Sequence, residues 1–270
     1  MGHLLAPLPG LFSGSKQPRQ HWMNGAFFGT AEAVRFHTDM ATKRKGKRSK
    51  PAPKPKADYT SPARLDKVLA ALDQLFPQAQ TALRHANAFQ LLVATILSAQ
   101  CTDERVNMIT PGLFARYPTA QDFAALRQEV LEREIHSTGF FRNKARNIIA
   151  ASQKIVEDFG SQVPRTMEEM LTLPGVARKT ANVVLGSAYG LATGVVVDTH
   201  VFRVAQRLKL SKQKTPEKVE QDLMKLVPQN RWITFGHQVI WFGRKLCQAR
   251  KPLCAECPIA AACDSADKTV

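Results

Sequence analysis

The pattern of apolar and polar positions changes character at Ser61. Upstream, residues 1–40 carry no sustained periodicity, and TKRKGKRSKPAPKPK (42–56) is a charge block followed by alternating prolines. That composition stays extended and solvated, which predicts a disordered basic tail over residues 1–60. From Ser61 the period becomes helical. SPARLDKVLAALDQLF offers Ser61 as N-cap, Pro62 at the first helical position, and Leu65, Val68, Leu69, Leu72 and Leu75 on one face. Runs of the same kind follow: AFQLLVATILSAQ, DERVNMITPGLFARY, TAQDFAALRQEVLEREI, NKARNIIAASQKIVEDFG, TMEEMLTL, KTANVVLGSAYG, DTHVFRVAQRL, TPEKVEQDLMKLV and HQVIWFGRKLC. Gly139, Gly160, Pro164, Gly190 and Pro228 supply the stops between them. Only GVVVD (194–198) reads as a strand, and one short run cannot make a sheet. The predicted fold class is all-α.

With 270 residues, 44% of them hydrophobic, the chain can bury one large core or two modest ones. Its formal charge is +16 and its pI about 9.9, which points to a polyanionic partner, most commonly nucleic acid. Residues 1–58 hold eleven basic and three acidic side chains, so half of the excess belongs to the helical part. The basic block can serve as an electrostatic arm on DNA or as an import signal, and Met40 just before it offers a second start. No apolar run reaches the roughly eighteen residues of a membrane span, and MGHLLAPLPGLF is a poor secretory signal. The expected setting is intracellular: cytoplasmic at the nucleoid in a bacterium, or the nucleus or an organelle in a nucleated cell. Four of the five cysteines fall in the last 24 residues, which in such a compartment argues for metal ligation rather than disulfides.

Candidate chemistry concentrates in three places. In TMEEMLTLPGVARKTANVVL, Thr166 and Glu169 form a capping-box pattern, a short helix follows, and LPGVA turns the chain into a second helix near Arg178. Gly175 allows a sharp turn and close approach to another molecule, and the free NH groups of the second helix suit a phosphate. Lys179 stands at the positive end of that helix, where a cation is disfavoured, and Arg178 adds like-charge repulsion. Such surroundings suit an amine that reacts as a nucleophile; a plain phosphate contact is the alternative. Second, VVVDTHVFRV places Asp198 before a helix, as an N-cap or as an oriented catalytic carboxylate, with His200 on the same turn. Third, CQARKPLCAECPIAAAC spaces Cys247, Cys254, Cys257 and Cys263 as C-x6-C-x2-C-x5-C. Zinc is satisfied by four thiolates, but its structural sites usually join two close pairs, whereas one wrapped segment can ligate a cubane cluster.

LPGVARKTANVVL resembles the helix-hairpin-helix motif of the endonuclease III family of DNA glycosylases and abasic-site lyases, and the likeness runs from about Phe89 to Cys263. The resemblance implies that Lys179 attacks C1′ of a damaged nucleotide and forms a Schiff base that proceeds by β-elimination, with Asp198 assisting. It implies a [4Fe-4S] cluster on the four cysteines, holding Arg250 and Lys251 toward phosphates. Gly175, Ala177, Arg178 and His200 become DNA contacts. SAQCTD maps Gln100 onto the residue that enters the duplex, and TGFFRNKARNI maps Phe140 onto the apolar wedge, where leucine is commoner; a helix cap and a core position are the plain alternatives. Ser98 and Asp103 flank the first loop as pocket residues, although Asp103 can equally cap the next helix. Ala177 stands where the family usually has glycine, and an ordinary helical backbone is expected there.

The implied architecture is two helical lobes with a DNA groove between them: a six-helix domain over 82–192, with the hairpin at about 167–186, and a cluster domain over 193–270 joined by the first helix at 61–81. The implied substrate is double-stranded DNA with oxidised pyrimidines or abasic sites, bound by a monomer without a membrane. Adenine DNA glycosylase, the nearest rival, shares hairpin and cluster but lacks the lysine and carries an extra C-terminal domain; here only seven residues follow Cys263. A binder without turnover is the rival from another class.

Overall fold

The computed structural model describes residues 60–269; all of the 1–60 tail except Thr60 lies outside them. The described residues are helical without a strand: α1 (Pro62–Leu75), α2 (Ala88–Leu97), α3 (Asp103–Arg116), α4 (Ala120–Ala124), α5 (Gln128–Ile135), α6 (Phe141–Asp158), α7 (Met167–Met170), α8 (Arg178–Tyr189), α9 (Thr199–Arg207), α10 (Pro216–Leu226) and α11 (Trp232–Lys245). No described helix is long and apolar enough to cross a membrane.

Local chemistry sets most starts. Side-chain oxygens of Asn87, Thr102, Thr119, Thr166 and Asp198 accept from the first turns of α2, α3, α4, α7 and α9. Ser61 precedes Pro62 but makes no capping bond. The α7 start is half of a capping box: Thr166 Oγ1 accepts from the Glu169 NH, but the Glu169 carboxylate takes the Thr166 hydroxyl instead of a backbone NH. A complete box forms at Thr119 and Asp122.

TAQDFAALRQEVLEREI is not one helix. It breaks into α4 and α5 at Arg127, which is extended (φ −70°, ψ 139°). Phe123 and Ile135 are both fully buried in the same core, yet twelve residues of straight helix would turn them about 120° apart. The break reconciles the two, and residues 82–192 therefore carry seven helices rather than six.

Buried residues gather in two cores. One is built by α2 to α8, with Leu91, Phe123, Leu131, Ile148 and Val184 at its centre. The other joins α1 to α9, α10 and α11 through Val68, Leu72, Val201, Leu223 and Phe242. Arg64 ties α1 further to the C-terminal segment, donating to the Leu208 and Ala262 carbonyls at 2.7 and 2.6 Å. The strand-like run at 194–198 is the connection between them. Val196 packs into the first core while Val195 and Val197 pack into the second. Its three consecutive valines reflect an extended segment whose successive side chains are buried on opposite sides.

Candidate active site and DNA-facing surface

The hairpin is shaped by a plug and a close contact. Leu173 and Val176 are buried beneath the turn between α7 and α8. Gly175 adopts φ +76°, and a Cβ there would stand 2.7 Å from Asn147 Cβ and 2.9 Å from its Nδ2. Ala177 is not helical as expected: it is the N-cap of α8, extended at φ −96° and ψ 169°. Its negative φ is open to any residue, so alanine carries no strain, and its methyl group leaves the first NH groups of α8 without a side-chain cap. A Gly175→Ala protein is expected to lose about 1–3 kcal/mol in chemical denaturation, from the left-handed backbone and the collision with Asn147. Asn147→Ala in the same chain should restore only the collision part; full stability in Gly175→Ala alone would mean that the hairpin repacks.

Lys179, exposed in the first turn of α8, and Asp198 line the same cleft, although they come from different lobes. One pocket has Lys179, Asp198, Ser98, Asp103, Arg244 and His237 among its lining residues. It adjoins a wider, more open one that shares the first five and adds Gln100 and His200. The Asp198 Oδ1 atom accepts from the His200 and Val201 NH groups, both at 2.8 Å. Asp198 is the N-cap of α9, and the same capping bonds fix a carboxylate whose side chain also faces the cleft.

Asp103 does not cap α3; Thr102 does, because its hydroxyl reaches the Arg105 NH. Asp103 instead pairs with Arg244 at 2.7 Å, joining α3 to α11 across the cleft. The Arg244 guanidinium also lies 5.6 Å from the Trp241 ring centre. Ser98 donates its hydroxyl to the Thr95 carbonyl at 2.8 Å. Burial pushes the His200 pKa down, and an Arg203 nitrogen lies 3.3 Å from its Nδ1. His237 is buried with Nε2 3.1 Å from Ser187 Oγ, and desolvation holds its pKa below the ordinary 6.5. Between that depressed value and 6.5 the unfolded chain binds the additional proton, so stability should fall as pH falls. His237→Gln is expected to flatten the decline of melting temperature between about pH 7 and 5.5; a slope unchanged from wild type would clear His237 as its source.

Gln100 and Phe140 both stand at the surface, on loops that leave α2 and enter α6, and neither is a cap by side chain or a core residue. Phe140 is 64% exposed. Both adopt left-handed backbone, at φ 52° and 49°, a conformation a non-glycine residue keeps only where its surroundings impose it. Arg178 is engaged by the buried Glu220 carboxylate of α10 at 2.8 Å, with 39% of its side chain still exposed. Glu220 also accepts from Asn182, at 2.8 Å. Arg250 and Lys251 are exposed on the loop between the first two clustered cysteines.

Cys247, Cys254, Cys257 and Cys263 all line one pocket, whose apolar wall includes Leu208, Phe242, Leu246 and Ile259. Among the described residues no three His, Cys, Asp or Glu side chains are arranged to hold a single metal ion. Arg207, missed in the sequence, braces this segment. It donates to Cys247 Sγ at 3.3 Å, to the Gln248 and Ala249 carbonyls at 2.6 and 3.0 Å, and pairs with Asp267. No local signal marks Arg207, Arg244 or Glu220, since each acquires its partner only through folding.

The chain matches the model of the HhH-GPD superfamily base excision DNA repair proteins over residues 93–229. It is 57% identical to endonuclease III of Synechocystis over 203 residues, which are 75% of this chain and 93% of that one. Against endonuclease III of Bacillus subtilis the identity is 45%, over 74% and 91% of the two chains. Among solved structures, a non-covalent endonuclease III–DNA complex superposes with a TM-score of 0.72 at 42% identity, over 74% of this chain and 94% of that one. A trapped endonuclease III–DNA covalent intermediate gives 0.70 at 42%, over 74% and 95%. A helix-hairpin-helix beside a lysine and a carboxylate, on a fold shared with relatives of this identity, places the chain in the endonuclease III family of base excision repair enzymes, which are DNA glycosylases and abasic-site lyases.

Proposed function

We propose that the protein removes oxidised pyrimidines from duplex DNA and cleaves the resulting abasic site, with Lys179 as the covalent nucleophile. The observation that carries this reading is the presence of Lys179 and Asp198 on one cleft, each delivered by the start of a different helix. The neutral Lys179 amine attacks C1′ as the bond from C1′ to the base breaks, and the base leaves with a proton. Opening of the sugar ring gives an iminium, loss of a C2′ proton expels the 3′ phosphate, and water releases the lysine. Asp198, anchored through Oδ1, stabilises the positive sugar and relays these protons.

Reaching C1′ requires the nucleotide to leave the stack, and Gln100 and Phe140 fill the space it vacates. Ser98 and Asp103 line the pocket that receives it. Uncapped NH groups of α8, the Gly175 and Ala177 turn, the exposed part of Arg178, His200, Arg250 and Lys251 hold phosphates. Four thiols around one apolar-walled cavity, with Arg207 hydrogen-bonded to a sulfur, fit a [4Fe-4S] cluster better than a single zinc ion. Held by Cys247, Cys254, Cys257 and Cys263, it supplies a covalent staple that rigidifies the segment bearing Arg250 and Lys251.

Borohydride trapping on duplexes with one thymine glycol or one abasic site tests this directly. A covalent adduct is expected on both; tight lesion binding without an adduct would leave a monofunctional glycosylase or a binder. Binding should also weaken steeply with salt, by roughly 10³-fold between about 50 and 200 mM for about six phosphate contacts. Salt-independent affinity would remove the phosphate contacts from the account.

A further inference from the structure

The buried ammonium of Lys144 has no part in the reaction above. It lies in the first turn of α6, where NKARNIIAASQKI puts apolar Ile148 and small Ser152 on its own face, and it is 5% exposed. A charge so placed is disfavoured, and burial accordingly pushes its pKa below the ordinary lysine value. What it receives in return is specific. Its Nζ donates to the Leu97 carbonyl at 2.7 Å and to the Thr138 carbonyl at 2.9 Å.

Those two carbonyls end different elements. Leu97 closes α2, and Thr138 closes the 3₁₀ turn His136–Thr138. Each would otherwise be an unpaired helix-end acceptor in the interior. Three residues beyond Leu97 stands Gln100; two beyond Thr138 stands Phe140. These are two exposed residues held in left-handed backbone, the pair read above as wedges. One ammonium, with three donors on a single nitrogen, thus joins the roots of both loops.

We propose that Lys144 is a positioning residue for base extrusion: it clamps the ends of α2 and of the 3₁₀ turn at a fixed spacing, so that Gln100 and Phe140 enter the duplex as one unit. This rests on the reading of Gln100 and Phe140 as wedge residues. It assigns to Lys144 no contact with DNA.

The test uses a duplex with 2-aminopurine opposite a non-cleavable abasic analogue, whose fluorescence rises when the wedges unstack it. Lys144→Met should lose most of that rise and slow single-turnover base removal from duplex by about 10- to 100-fold. Borohydride trapping at an abasic site in a single-stranded oligonucleotide, which needs no extrusion, should change far less. In a Gln100→Ala, Phe140→Ala background, Lys144→Met should cost nothing further. Lys144→Arg, which keeps a cation with several donors, should recover part of the fluorescence rise. If the methionine variant does not fold, Lys144→Leu, which likewise removes every donor, takes its place. Equal losses on duplex and single strand, or a full additional loss in the background without wedges, would make Lys144 a core residue only and overturn the proposal. A fluorescence rise that survives removal of both wedges would instead overturn the wedge reading, and the proposal with it.

Discussion

A Lys179→Gln protein should bind lesion-containing duplex with near wild-type affinity and release neither base nor cleaved strand at a useful rate. The expected loss is roughly 10⁶-fold in single-turnover rate, the scale on which removal of a covalent nucleophile acts. Its fold should be untouched. Lys179 is exposed at the start of α8, and no hydrogen bond or ion pair within the described residues depends on it. Glutamine is as good a helix former there as lysine. Denaturing gels after borohydride treatment read the chemistry, and a melting curve reads the fold. An adduct that persists in Lys179→Gln would give the reaction to a different amine.

Asp198 allows a sharper separation, because its structural role and its proposed chemical role use the same side chain. Asp198→Asn keeps an oxygen that can accept from the His200 and Val201 NH groups and is an equally good N-cap. It removes only the charge and, with it, the proposed proton relay. Activity is therefore expected to fall by about 10²–10⁴-fold with the melting temperature unchanged. Asp198→Ala removes the cap as well and should cost about 1 kcal/mol of stability in addition. Full activity in Asp198→Asn would reduce the residue to a cap.

Some of this was legible residue by residue. The extents of α1, α6 and α10 follow from apolar spacing, and the starts of α7 and α9 from Thr166 and Asp198. The hairpin was visible in Gly175, whose left-handed φ glycine tolerates, while Ala177 beside it was misjudged because extended and helical starts look alike in sequence. Thr102 and Asp103 are both able caps; Thr102 takes the Arg105 NH, while Asp103 pairs with Arg244, a residue of the other lobe. Lys144 did leave a trace: a lysine on the apolar face of a helix is a misplaced charge, and such a charge needs partners.

What the sequence by itself determined is local: helical period, caps, the left-handed hairpin turn at Gly175, and four thiols on a single short segment. Each depends on residues within about one or two turns of one another, where backbone geometry fixes who meets whom. Only the tertiary structure decided which core each of Val195, Val196 and Val197 faces, that Lys179 and Asp198 share a cleft with Asp103 and Arg244, and that Arg178 is taken up by Glu220. Those partners lie far apart along the chain and are selected by the packing of two lobes. A buried charge accepts whichever counter-charge or carbonyl the packing brings within about 3 Å.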